Sequence, residues 1–180
     1  MMVMPIKTEH RPSTARGVLC AIEGIDGAGK STTARLVADT VPNVVLISKQ
    51  TPLMSRNQNM NQYYNQLTSL IFARPKGFGA ELSDAHWIRM LAAWFTIHYE
   101  ELALPHLLAG QDVLLENSPF KYMLRYIANV PEDEPHIRAC FEPITREIDA
   151  TVLLDIDRAA ALRRKGGAMS SVEGGRDAQD

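Results

Sequence analysis

The residues Gly24-Ile25-Asp26-Gly27-Ala28-Gly29-Lys30-Ser31-Thr32 satisfy the pattern G-x-x-x-x-G-K-[ST], a phosphate-binding loop. Glycines let successive N–H groups turn inward around an anion, and the start of a helix adds partial positive charge at the same point. Lys30 is expected to reach the outer phosphates of a nucleotide and Ser31 to place its hydroxyl on Mg²⁺. The flanks supply the context that chemistry needs. Val18-Leu19-Cys20-Ala21-Ile22 reads as a buried strand before the loop, and Thr32-Thr33-Ala34-Arg35-Leu36-Val37 as a helix after it.

Phosphoryl transfer asks a protein for alignment and cationic stabilisation rather than covalent chemistry. Glu116 closes the apolar run Val113-Leu114-Leu115, where a carboxylate can hold Mg²⁺ through water or accept a proton from an acceptor; the alternative is a surface glutamate at a strand end. Asp26 lies inside the anion loop, which is unfavourable unless it faces something else, Mg²⁺ or a substrate hydroxyl; the alternative is simple loop filler. Arg163, Arg164, Lys165 and Arg176 are either a mobile cationic clamp over the phosphates or a solvated basic face. His98 and His106 lack partners at metal-ligand spacing and read as structural or solvent-facing. Trp87, Met90 and Trp94 keep helical spacing and read as core.

The elements that would position these groups alternate along the chain. Helices are expected over Lys30–Asp39, Met60–Phe72, a long stretch opened by Ser83 and kinked or restarted at Pro105, His136–Arg146 and Arg158–Lys165, with another helix capped by Ser118-Pro119. Val44–Ile47, Val113–Leu115 and Thr151–Leu154 read as further strands, Ser48–Asn59 and Pro75–Gly79 as breaks, and Pro131–Pro135 as an acidic turn. Apolar strands separated by helices predict an α/β fold of P-loop NTPase type, a three-layer arrangement with a parallel sheet and helices on both faces. Ligands bind beyond the carboxyl ends of such strands, where the loop, Lys49 and Glu116 all fall.

At 180 residues the chain suits one domain. We expect a flexible N-terminal tail over 1–16, a kinase-like domain over 17–165 and a lid-like or disordered segment over 166–180. The formal charge of −2 advertises neither a nucleic-acid polymer nor a membrane surface. No apolar run approaches about 18 residues, and the polar N-terminus, carrying Pro5 and Pro12, lacks a signal peptide's apolar segment. Cys20 and Cys140 sit in apolar contexts and read as buried free thiols, consistent with a cytoplasmic location.

Ile22-Glu23-Gly24-Ile25-Asp26-Gly27-Ala28-Gly29-Lys30-Ser31-Thr32-Thr33 closely resembles the phosphate loop of thymidylate kinases, which carry Glu-Gly-x-Asp-Gly-x-Gly-Lys-Ser-Thr. Leu104-Pro105-His106-Leu107-Leu108-Ala109-Gly110 looks like the end of that family's helix before its third strand, and Leu153-Leu154-Asp155-Ile156-Asp157 like its fourth strand. The resemblance implies an ATP-dependent, Mg²⁺-dependent nucleotide kinase that phosphorylates a nucleoside monophosphate such as thymidine monophosphate. It also implies a possible homodimer through the long helix. In that reading Lys30, Glu116, Asp26, Arg163 and Arg164 are catalytic, residues Gly24 to Thr32 hold the nucleotide, and Ser31 and Glu116 hold the metal. Lys49, Arg89, Leu91 and Lys121 serve the nucleotide or nucleoside-like acceptor.

Several positions depart from the family. Its Asp-Arg-Tyr or Asp-Arg-Phe is Glu116-Asn117-Ser118 here, similar also to the Glu-Arg-Ser of deoxynucleoside kinases but without the arginine, whose charge Lys121 would replace. Its Arg-Glu-Pro is Lys49-Gln50-Thr51-Pro52, and its thymine-binding Phe and Arg align with Leu91 and Phe95, with Phe72 and Arg74 as an alternative pair. The sequence ends at Asp180, within the expected lid, which implies a truncated form or a reduced variant with part of the adenine side missing. Two other functions follow from these departures: a catalytically degenerate nucleotide-binding module, or a kinase for a different acceptor.

Overall fold

A computed structural model of the chain describes residues 16–73 and 82–164. The expectations for the 1–15 part of the tail, for Pro75–Gly79, Arg74, Lys165 and Arg176, and for the 166–180 segment lie outside the described residues.

Among the described residues four strands, β1 (Leu19–Glu23), β2 (Val44–Ile47), β3 (Asp112–Leu115) and β4 (Ala150–Leu153), form one sheet in the order β2-β3-β1-β4. Every pairing is parallel, with Leu19 opposite Val113, Val45 opposite Val113 and Glu23 opposite Leu153. Parallel neighbours need crossover connections, and helices supply them. These are α1 (Lys30–Thr40), α2 (Gln58–Phe72), α3 (Asp84–Ile97), α4 (Leu104–Leu108), α5 (Pro119–Asn129), α6 (Glu134–Thr145) and α7 (Arg158–Arg164). The fold is therefore α/β with a parallel sheet between helical layers, as the alternation of apolar runs requires.

Strand side chains alternate between faces, and the core divides accordingly. Leu19, Ala21, Ile47, Val113 and Leu115 join a large cluster with Trp94, Phe95, Leu107 and Phe141. Ile22 and Leu114 pack on the opposite face against Ala34 and Val37 of α1. Trp94 and Phe141 are fully buried, and each such side chain contributes roughly 1.5–3 kcal/mol by leaving water.

Element boundaries differ from the sequence expectation where hydrogen bonding intervenes. β1 starts one residue later than Val18, because Val18 N–H donates to the Asp112 carboxylate (2.8 Å), and it runs on to Glu23, opposite Leu153. α2 starts at Gln58 because the Asn57 side chain caps it, accepting from Asn59 N–H. The long helix changes its hydrogen-bond pattern well before Pro105 while staying continuous. His98–Ala103 is π-helical, with Leu104 N–H bonded to Tyr99 O, and Pro105 offers no N–H to the carbonyls of the preceding turn. Cys20 and Cys140 are free but half-buried rather than buried. Among the described residues no helix is long and apolar enough to cross a membrane.

Candidate active site

The carboxyl ends of β1, β2 and β3 open onto one cavity of about 790 Å³. The first strand brings Glu23 and the loop from Asp26 to Thr33, the second brings Lys49 and Gln50, and the third brings Glu116, Asn117 and Ser118. α5 adds Lys121 and Tyr122, and α7 adds Arg164.

The loop is built around left-handed glycines. Gly24, Gly27 and Gly29 have φ of 146°, 85° and 95°. A Cβ on Gly27 would stand 2.7 Å from the Ala161 carbonyl oxygen, so glycine is required by conformation and by space. Gly29 is the N-cap of α1 and no side chain caps that helix, so its first N–H groups and its dipole face the cavity without a side-chain competitor. This donor set suits a phosphate group.

Charged groups at the rim are closely coupled. The Lys30 ammonium donates to Gly24 O (2.7 Å) and Ile25 O (3.1 Å) and lies 3.5 Å from Asp26 Oδ1. Burial, followed by the nearby Lys121 charge, lowers the pKa of Lys30, while Asp26 and Glu23 oppose the shift. Ser31 Oγ donates to Glu116 Oε1, so these two oxygen-bearing side chains are in contact across the cavity. Their oxygens are hard donors of the kind Mg²⁺ takes. Asp26 Oδ1 accepts from Lys121 Nζ at 2.9 Å.

Glu23, which the sequence reading had left without a role, is held by the Ser118 hydroxyl, which donates to its Oε1. Burial raises the pKa of Glu23, and the Ser118 bond with the Lys30 and Lys121 charges counteracts part of that rise. Gln50 and Tyr122 are further cavity residues without an earlier assignment. Tyr122 OH donates to Asn117 Oδ1 (3.3 Å), fixing the amide, whose Nδ2 is buried without a partner among the described residues. Burial pushes the Tyr122 phenol up to about 12, so it stays a donor. Glu23 was legible in principle as the last residue of a strand feeding the loop. Ser118 was legible only as a helix cap, which it also is, accepting from Phe120 N–H.

Not every candidate lines the cavity. Leu91 is buried in the large core cluster and is no wall of the cavity. Arg89 is exposed, and its guanidinium donates to Ala85 O of its own helix (3.0 Å). Ile25 is 41% exposed on the outside of the loop. Arg163 is exposed and away from the cavity, whereas Arg164 reaches Gly27 O at 3.5 Å. Lys49 sits over the Phe72 ring, 5.7 Å from its centroid.

The fold and the glycine cradle are those of a P-loop NTPase-type α/β domain. No family model matches the chain. It is 31% identical over 150 residues to the thymidylate kinase of Xanthomonas euvesicatoria pv. vesicatoria, an alignment covering 82% of this chain. The chain spans 60% of the length of that curated relative. Solved structures of two thymidylate kinases share the fold. The Ehrlichia chaffeensis enzyme superposes with a TM-score of 0.54 at 20% identity, covering 89% of this chain and 79% of that one. The Candida albicans enzyme superposes with a TM-score of 0.58 at 19% identity, covering 84% and 68%. The chain is thus distantly related to the thymidylate kinases.

Proposed function

We propose that this protein is an ATP-dependent nucleotide kinase that transfers the γ-phosphoryl group to a nucleoside monophosphate or a related acceptor. The observation that carries this reading is the convergence of an uncapped glycine cradle, Lys30, and the Ser31–Glu116 pair on one cavity at the strand ends. The loop amides and Lys30 hold the β- and γ-phosphates of ATP. Ser31 and Glu116 are the residues that would hold Mg²⁺, which spreads the negative charge of the phosphates during transfer. Lys49 and Gln50, after the second strand, line the side of the cavity that would take the acceptor and orient its phosphate. An acceptor oxygen forms the new P–O bond as the bond between the γ-phosphorus and the β–γ bridging oxygen breaks, and ADP leaves with that electron pair. Arg164 stands beside the loop, where its charge offsets charge building on the transferring group. The free thiols Cys20 and Cys140 suit a reducing cytoplasm.

A second reading has one observation in its favour. Asn117 occupies the position of the family arginine and its amide nitrogen lacks a partner, which fits either a non-standard acceptor or a nucleotide-binding module without turnover. One assay separates these readings. The protein is incubated with Mg-ATP and a panel of nucleosides and monophosphates, and ADP is followed. ADP that appears only with an acceptor supports the kinase and identifies its substrate, while saturable ATP binding without ADP replaces the kinase by the module. No binding of Mg-ATP by folded protein refutes both.

A further inference from the structure

We propose that Lys121 is a positioning residue that cancels the negative charge which the phosphate loop itself carries, and so keeps Lys30 available to a phosphate; this rests on reading the loop as a nucleotide-phosphate site. The loop has an electrostatic difficulty of its own making, since Glu23 and Asp26 place two carboxylates beside amides meant for an anion. Lys30 is the loop's own cation, and it is drawn toward those acids and toward the Gly24 and Ile25 carbonyls. Left alone with Asp26, Lys30 would be a weaker phosphate ligand.

The start of α5 resolves this. Its N-cap Ser118 donates to Glu23, and three residues later Lys121 donates to Asp26 Oδ1 at 2.9 Å, closer than Lys30 at 3.5 Å. One helix end therefore clasps both loop acids from across 95 residues of sequence. The placement of Lys121 argues against a role in the helix itself. A cation in the first turn opposes the helix dipole, and this first turn has no acidic residue to offset it. The contact with Asp26 in the loop offsets that cost. The Lys121 charge also favours the ionised form of Glu23, against the upward push of burial.

The test is calorimetric titration of the full chain with Mg-ATP, with thermal melts of each variant. Lys121→Ala should weaken binding about tenfold or more, the equivalent of about 1.4 kcal/mol. Lys121→Arg keeps the charge and should stay within about threefold of the unaltered protein, a difference of about 0.7 kcal/mol. The decisive variant is Lys121→Ala combined with Asp26→Asn, which removes the charge that Lys121 neutralises. Recovery of binding in that double variant supports the proposal when Lys121→Ala melts as the unaltered protein does; a merely structural ion pair would lower melting temperature and affinity together in Lys121→Ala and restore both together, which overturns it. Unchanged affinity in Lys121→Ala, or no recovery in the double variant, overturns the inference and leaves the kinase reading standing. If the unaltered, folded protein itself fails to bind Mg-ATP, the phosphate-loop reading falls, and this inference with it.

Discussion

Replacing His98 by Gln should flatten the acid side of this protein's stability profile. The imidazole is 1% exposed, its ring stacked on Trp94 at 4.3 Å and its Nδ1 bonded to Tyr64 OH at 2.6 Å. Burial lowers its pKa from 6.5 to about 3 in the fold. A depressed folded pKa means that the unfolded chain takes up a proton first. The stabilisation is therefore complete above pH 6.5 and drains away as the pH falls toward about 3. At about 1.4 kcal/mol per pH unit, the loss between about pH 7 and about pH 4 comes to about 3 kcal/mol. Gln cannot titrate, so the variant should lose about 3 kcal/mol less than the native protein over that interval, whatever constant offset the altered packing adds. Urea unfolding followed by tryptophan fluorescence is the assay, since Trp94 lies against the imidazole. Carboxylates titrate alike in both proteins and cancel in the comparison. Equal losses between the two pH values in native protein and variant would refute the assignment of a buried, neutral His98.

Three further outcomes are expected. Lys30→Ala should abolish Mg-ATP binding and ADP formation while the melting temperature changes little, because the lysine bonds loop carbonyls at the rim rather than core groups; retained turnover would remove the loop from the mechanism. Gly27→Ala should cost at least about 1–2 kcal/mol from its positive φ alone, with more from the contact at Ala161 O; an unchanged urea midpoint would contradict the described loop geometry. Asn117→Arg should raise ADP formation with thymidine monophosphate, since it adds a cation to the cavity at the position of the family arginine; no increase in the coupled assay would refute the role given to that arginine.

The alternation of short apolar runs with helical periodicity was enough to specify a parallel sheet, because a strand buried on both faces needs an unbroken apolar run and a crossover helix to cover it. The glycines of the loop were equally legible, since their spacing encodes a backbone conformation that few other residues adopt. Local sequence also specified Ser118 as a cap, Trp94 as core and Glu116 as a strand-end acid. What it left open were contacts between elements distant in sequence. Asp26 had several conceivable partners until the fold delivered Lys121 to it, and Glu23 acquired its surroundings only when Ser118 closed over it. Likewise Leu91 was placed in the acceptor pocket by alignment, yet it lies in the core, because the side of a helix that faces the sheet is set by packing rather than by position in a motif. Sequence by itself determined the anion cradle, since main-chain conformation is a local property. Only the tertiary structure decided which side chains balance its charge, because electrostatic pairing depends on distances in space.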